Sequence, residues 1–337
     1  MNQNHSVPYG TMPVGYSSYW GVNPIQQESH SIRRLGNIIG FTVVGFFAMQ
    51  FVAAFLLLLS GAYPMYLEGD IAYQAINIFT SILCVFFPFA VLMLSMRSSQ
   101  AELLPLGKIK LSLFIPLVFV GMSIFVISNI ATNMLITVMG FGGIELVMPN
   151  MTKPTTTGGI ILSIVSTAVI PALTEEFAMR GVVLQILRKH GDGFAIVMSS
   201  LLFAVMHGNF VQAPFAFIGG LALGYCAVKT GSLWLSITIH FLNNLMAVLF
   251  DVFQKPLGEN LYMILNYSVF IGILIAGIVS IIYLIKKQPD FFHLKDSVSF
   301  CTFKQKVDVF LVTPGVVISF VLIGLLSMQF LEITWLS

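Results

Sequence analysis

Glu175, Glu176 and Arg180 fall within one long apolar run, His207 ends a second, and His240 and Asn244 share a third. A charged side chain near the centre of a bilayer costs several kcal/mol, roughly, and marks either function or a structural ion pair. Carboxylates, imidazoles and an amide together suit activation of a water molecule and stabilisation of a tetrahedral oxyanion, the chemistry of amide hydrolysis. Other designs for that reaction lack parts. No histidine is followed by Glu, so HExxH zinc chemistry is absent. Asp70, Asp192, Asp251, Asp290, Asp296 and Asp308 all fall in or at the edge of loops, which leaves no membrane-embedded aspartyl dyad. Ser236 stands one turn before His240, but no Gly-x-Ser-x-Gly elbow accompanies it.

Helical spacing relates these residues. Glu176 and Arg180 are four apart and share a helix face, so a charge-assisted pair is expected, with Glu175 about 100° around the helix and outside that pair. A carboxylate left unpaired in apolar surroundings holds its proton more readily, as a general base near neutral pH requires; the bland alternative is a buried ion pair with a spare hydrogen-bonded carboxylate. Phe203 and His207 share a face, and a lone His there also reads as an interfacial histidine. His240 and Asn244 share another face with Asn243 directed elsewhere, and a helix-helix hydrogen bond would explain that pair as well. At 1.5 Å per residue from the cytoplasmic helix ends, Glu175 and His207 lie roughly 20 Å deep and His240 to Asn244 roughly 10 to 18 Å, so three helices bring polar groups to similar depth. Glu175, His207 and His240 also have the composition of a His₂Glu zinc site, and the sequence leaves Zn2+ open, although neither histidine sits in a paired ligand motif.

The elements that must position them are membrane helices. The 337 residues are 57% hydrophobic and 9% charged, with a mean hydropathy of +0.92, far from soluble globular composition. A net charge of +2 offers no basic surface for a nucleic acid. Apolar runs over 38–60, 72–96, 111–139, 158–187, 193–207, 213–228, 233–250, 261–285 and 309–330 predict an all-α polytopic transmembrane bundle of about nine spans, some of them short. With the N-terminus inside, thirteen of the sixteen Lys and Arg fall in cytoplasmic segments and only Lys153 and Lys255 outside, which supports a cytoplasmic N-terminus. The expected organisation is a disordered cytoplasmic tail over 1–35 rather than a signal peptide, helices over 36–157, a core over 158–250, and C-terminal helices over 251–337 with an interfacial loop at 286–308. Cys84, Cys226 and Cys301 stand singly and read as small buried residues.

The series Glu175-Glu176-x-x-x-Arg180, Phe203-x-x-x-His207 and His240-x-x-x-Asn244 resembles the motif set of the CPBP intramembrane proteases, the CAAX prenyl protease type 2-like (Abi) family. The stretch with Gly219-Gly220, Gly224 and Lys229 to Trp234 is similar too, and the resemblance covers roughly Gly158 to Phe250. It implies an all-helical multi-pass peptidase of the cell membrane, whose eukaryotic members remove the last three residues of prenylated CAAX proteins. It implies that Glu175 with His207 activates water, that His240 and Asn244 hold the oxyanion, and that Glu176 and Arg180 support the site. The family is often labelled metalloprotease. The partners implied are a membrane-anchored protein or peptide substrate and the lipid bilayer. Two other classes fit the same letters: a non-catalytic membrane scaffold or bacteriocin self-immunity protein, and a transporter using these groups as a proton relay.

Overall fold

A computed structural model describes residues 23–68, 70–96, 100–147, 153–294 and 299–333. Its principal helices are α1 (Pro24–Leu59), α2 (Asp70–Ser95), α3 (Leu111–Phe141), α4 (Thr157–His190), α5 (Asp192–Met206), α6 (Ala213–Thr230), α7 (Leu233–Leu257), α8 (Glu259–Lys287), α9 (Phe303–Leu311) and α10 (Pro314–Phe330). The all-α polytopic bundle expected from composition is what the chain forms. Among the described residues seven helices are long and apolar enough to cross a membrane, and α9 with α10, bent by 69°, makes an eighth when counted together. The ninth apolar run is α5, whose 15 residues cover only about 22 Å.

Contacts sort the connections into two ends. At one end Glu28 meets His190, Ser299 and the backbone of Phe300 and Cys301, Lys306 Nζ donates to the His190 carbonyl at 2.5 Å, and Lys229 donates to the His293 carbonyl at 2.7 Å. At the other, Asp70 accepts from Thr155 and Thr156, Lys153 pairs with Asp251, and β1 (Ile144–Leu146) pairs antiparallel with β2 (Leu331–Ile333). These are the two groups of loops that the basic residues separate in sequence. Among the described residues successive helices therefore run between these two ends, with α5 the shortest of them before the bent α9–α10 pair.

Two boundaries differ from expectation. The helix α1 starts at Pro24, so residues 24–35 are not tail: Asn23 caps the helix through its side chain and Pro24 occupies its first turn, while Ile32, Leu35 and Ile39 bury one face. The expected disorder over 1–22 lies outside the described residues. His190 is buried and joins α4 to α1 through Ser31 and Glu28. In the interfacial stretch the chain is helical from Phe303, behind a Thr302/Gln305 capping box.

Small residues set the closest helix contacts. α1 and α10 meet at Gly40 and Gly315, where a Cβ on Gly40 would lie 2.3 Å from the Gly315 carbonyl carbon, and Ser319 Oγ donates to the Gly40 carbonyl. α5 and α6 meet at Gly220, against Ser200. Lipid tails are as apolar as Leu, so such close packing rather than hydrophobic burial holds the helices together. The three cysteines are buried and unpaired.

Candidate active site

The site is built where α4, α5 and α7 meet. α4 changes pitch twice, through π-helical turns at Ile164–Val169 and Phe177–Val183 that bracket Glu175 and Glu176. The first follows from Pro171. Proline has no N–H to give the carbonyl four residues earlier, so Thr167 loses its ordinary α-helical donor. Asn244 Nδ2 of α7 donates to that carbonyl at 3.0 Å. In the second turn, Gln185 Nε2 donates to the Arg180 carbonyl at 2.9 Å. Single π turns of this kind recur at functional sites, because they release backbone groups and re-aim side chains.

The two neighbouring glutamates occupy different environments. Glu176 is wholly buried; its Oε1 accepts from Arg180 Nη1 at 2.8 Å and from His240 Nδ1 at 2.9 Å. Arg180, also wholly buried, donates through Nη2 to the Gly220 carbonyl at 3.2 Å and lies 4.3 Å over the Phe203 ring. The Glu175 side chain is 22% exposed, and its Oε2 lies 3.8 Å from His240 Nε2, beyond direct hydrogen-bond reach. His240 thus stands between both carboxylates, fixed by Glu176 on one side and turned toward Glu175 on the other.

His207 caps the end of α5 and is oriented by its own helix. Its Nδ1 donates to the Phe203 carbonyl at 2.9 Å, which leaves Nε2 as the acceptor in the neutral ring. The Phe203 ring meets His207 edge-on at 4.8 Å and His240 at 5.9 Å, so one aromatic side chain contacts Arg180 and both imidazoles. α5, about 22 Å long, is shorter than a hydrocarbon layer of about 30 Å, and His207 stands where it ends. Irregular backbone there must be satisfied by protein. Buried Asn209 does so: it donates to the His207 carbonyl at 2.9 Å and accepts from the Gln212 amide at 2.8 Å.

Asn244 is held from two sides. Its Oδ1 accepts from Asn243 at 3.0 Å and its Nδ2 donates one hydrogen to Thr167, leaving a second for another acceptor. Asn243 is therefore not directed elsewhere, as helical spacing had predicted; adjacent amides on α7 bridge through their flexible ends. Ser236, weighed as a nucleophile, donates instead to the Leu233 carbonyl within its own helix. Sequence reading also missed the buried Gln74 and Ser166 pair between α2 and α4, and Phe203 as the shared ring. A glutamine inside a largely apolar helix is the signal that points to the first, and the proline four residues after Thr167 signals the carbonyl that Asn244 meets.

Among the described residues no three His, Cys, Asp or Glu side chains gather as ligands for one zinc ion. His240 Nδ1 is bonded to Glu176 and His207 Nδ1 to Phe203, which directs only the two Nε2 atoms toward any shared ligand.

No curated protein and no solved structure matches the chain. Residues 157–246 match the family model described as type II CAAX prenyl endopeptidase Rce1-like. That segment holds all six motif residues, and through it this part of the chain is similar to the CAAX-protease-like membrane proteins of the CPBP family.

Proposed function

We propose that the protein is an intramembrane endopeptidase that hydrolyses a peptide bond of a membrane-anchored substrate with water activated by Glu175. The observation that carries the reading is the division of labour between adjacent glutamates. Glu176 is spent on Arg180 and His240, while Glu175 is partly exposed and outside that pair. A general base must reach water, and Glu175 can.

In this mechanism Glu175 takes a proton from a water molecule whose oxygen attacks the scissile carbonyl, and His207 Nε2 accepts the water's other hydrogen as a hydrogen bond. The carbonyl π electrons move onto oxygen. That oxyanion receives a hydrogen bond from the unused Asn244 amide hydrogen and from His240 Nε2–H when the ring carries both protons. As the C–N bond breaks, Glu175 returns its proton to the leaving amine, so the carboxylate is restored. The protein lies in the cell membrane with its N-terminus in the cytoplasm.

The test is cleavage of a library of membrane-anchored C-terminal peptides by purified wild type and Glu175→Gln, with metal content measured on the same samples. Wild type is expected to cleave and Glu175→Gln to lose cleavage while retaining its helical content. Cleavage by Glu175→Gln at the wild-type rate overturns the reading. A scaffold or immunity role predicts that partner binding survives the same substitution, and a relay predicts ion flux lost without any peptide cut.

A further inference from the structure

The π turn over Ile164–Val169 is held on two sides, and only one of them enters the mechanism. On that side Asn244 of α7 donates to the Thr167 carbonyl at 3.0 Å. On the other, Ser166 donates to the carboxamide oxygen of Gln74 on α2. Both side chains are buried, Gln74 at 3% exposure and Ser166 at 6%. Gln74 lies outside residues 157–246, so this contact brings in a helix that the family match does not reach.

The face of α2 that carries Gln74 is already fixed on α4. Asp70 precedes Gln74 by four residues and shares its face. It accepts from the Thr155 and Thr156 amides at 3.0 Å each, just ahead of α4, and a Cβ on Gly159 would run into its carboxylate. One face of α2 thus holds α4 both at its start and at Ser166. A serine inside a helix ordinarily returns its hydrogen to its own backbone. The Ser163 carbonyl stands 3.2 Å from Ser166 Oγ, yet the nearer Gln74 oxygen takes the single hydrogen.

That bond matters because of the residue beside it. In the π turn the Ile170 N–H reaches back five residues to the Val165 carbonyl, and Pro171 supplies no N–H, so the Thr167 carbonyl lacks the donor that would ordinarily fix it. Its direction depends on what α2 and α7 hold from either side. Ser166 and Thr167 are consecutive, so a rotation of the turn that releases one moves the other.

We propose that Gln74 is a positioning residue: through Ser166 it fixes the π turn of α4 and so aims the Thr167 carbonyl that holds the Asn244 amide. Its consequence for cleavage rests on the reading of Asn244 as an oxyanion donor. Loss of Gln74 leaves Ser166 the Ser163 carbonyl as an acceptor, so no hydroxyl is stranded and the fold is expected to hold.

The experiment combines two readouts on the full chain in lipid nanodiscs. The first is the side-chain amide spectrum of protein labelled with ¹⁵N-asparagine, in which the Asn244 signals are those that vanish in Asn244→Ala. Gln74→Met, of similar shape but without the amide, should shift those signals, and so should Ser166→Ala, which cuts the same bond from the α4 side. The second is cleavage of a membrane-anchored peptide. Each variant should lower kcat by about tenfold with KM little changed, as misplacement of a reacting group does, and the pair together should cost no more than either alone. In an Asn244→Ala background neither should lower kcat further, whereas a merely structural role lowers it by the same factor with or without Asn244. Unmoved Asn244 signals in both variants overturn the proposal whatever the activity. Moved signals with wild-type kcat, or losses that multiply with Asn244→Ala, overturn the role in cleavage. A wild type that cleaves no peptide counts against the peptidase reading alone, and the amide spectrum still decides whether Gln74 positions Asn244.

Discussion

Replacing Arg180 by Leu removes the one guanidinium that neutralises a wholly buried carboxylate. Glu176 Oε1 would keep His240 Nδ1 but lose the 2.8 Å bond from Nη1, while the Gly220 carbonyl and the Phe203 ring would lose a cation. Removing one partner of a buried pair costs about 3–5 kcal/mol, against about 0–1 kcal/mol for an exposed pair. Both side chains are fully buried, so the larger figure applies. Equilibrium unfolding in mixed micelles with increasing SDS, followed by circular dichroism, should show that loss. Adding Glu176→Gln tests the cause. A neutral amide oxygen still accepts from His240, but no charge is stranded, so the double variant should be more stable than Arg180→Leu alone by about 1–3 kcal/mol. A single-variant cost below about 1 kcal/mol, or simple additivity in the double variant, would refute the view that a desolvated ion pair organises the site.

Asn244→Ala should lower kcat by about a hundredfold with little change in KM, the usual consequence of losing one oxyanion donor. Asn243→Ala acts only by releasing Asn244 and should cost less; equal losses would mean that Asn243 contacts the substrate itself. Pro171→Ala restores an N–H that competes with Asn244 for the Thr167 carbonyl, so kcat should fall while helical content holds or rises, and unchanged kcat would show that the π turn does not position the amide. Gly40→Val drives a side chain into the Gly315 backbone and should destabilise the α1–α10 contact by about 1–3 kcal/mol in the same SDS titration, without a specific effect on cleavage chemistry.

The amino-acid sequence determined whatever repeats along one helix. Apolar runs set the helices, and the placement of Lys and Arg separated loops that the structure gathers at opposite ends. The pairs four residues apart, Glu176 with Arg180 and Phe203 with His207, follow from 3.6 residues per turn and are in contact. Tertiary structure alone decided how the helices rotate about their axes and where they cross. That rotation gives His240 to Glu176, Asn244 to the Thr167 carbonyl and Arg180 to the Gly220 carbonyl, contacts spanning 64, 77 and 40 residues. The physical reason is that helical periodicity fixes which residues share a face, whereas packing against neighbouring helices fixes what that face meets.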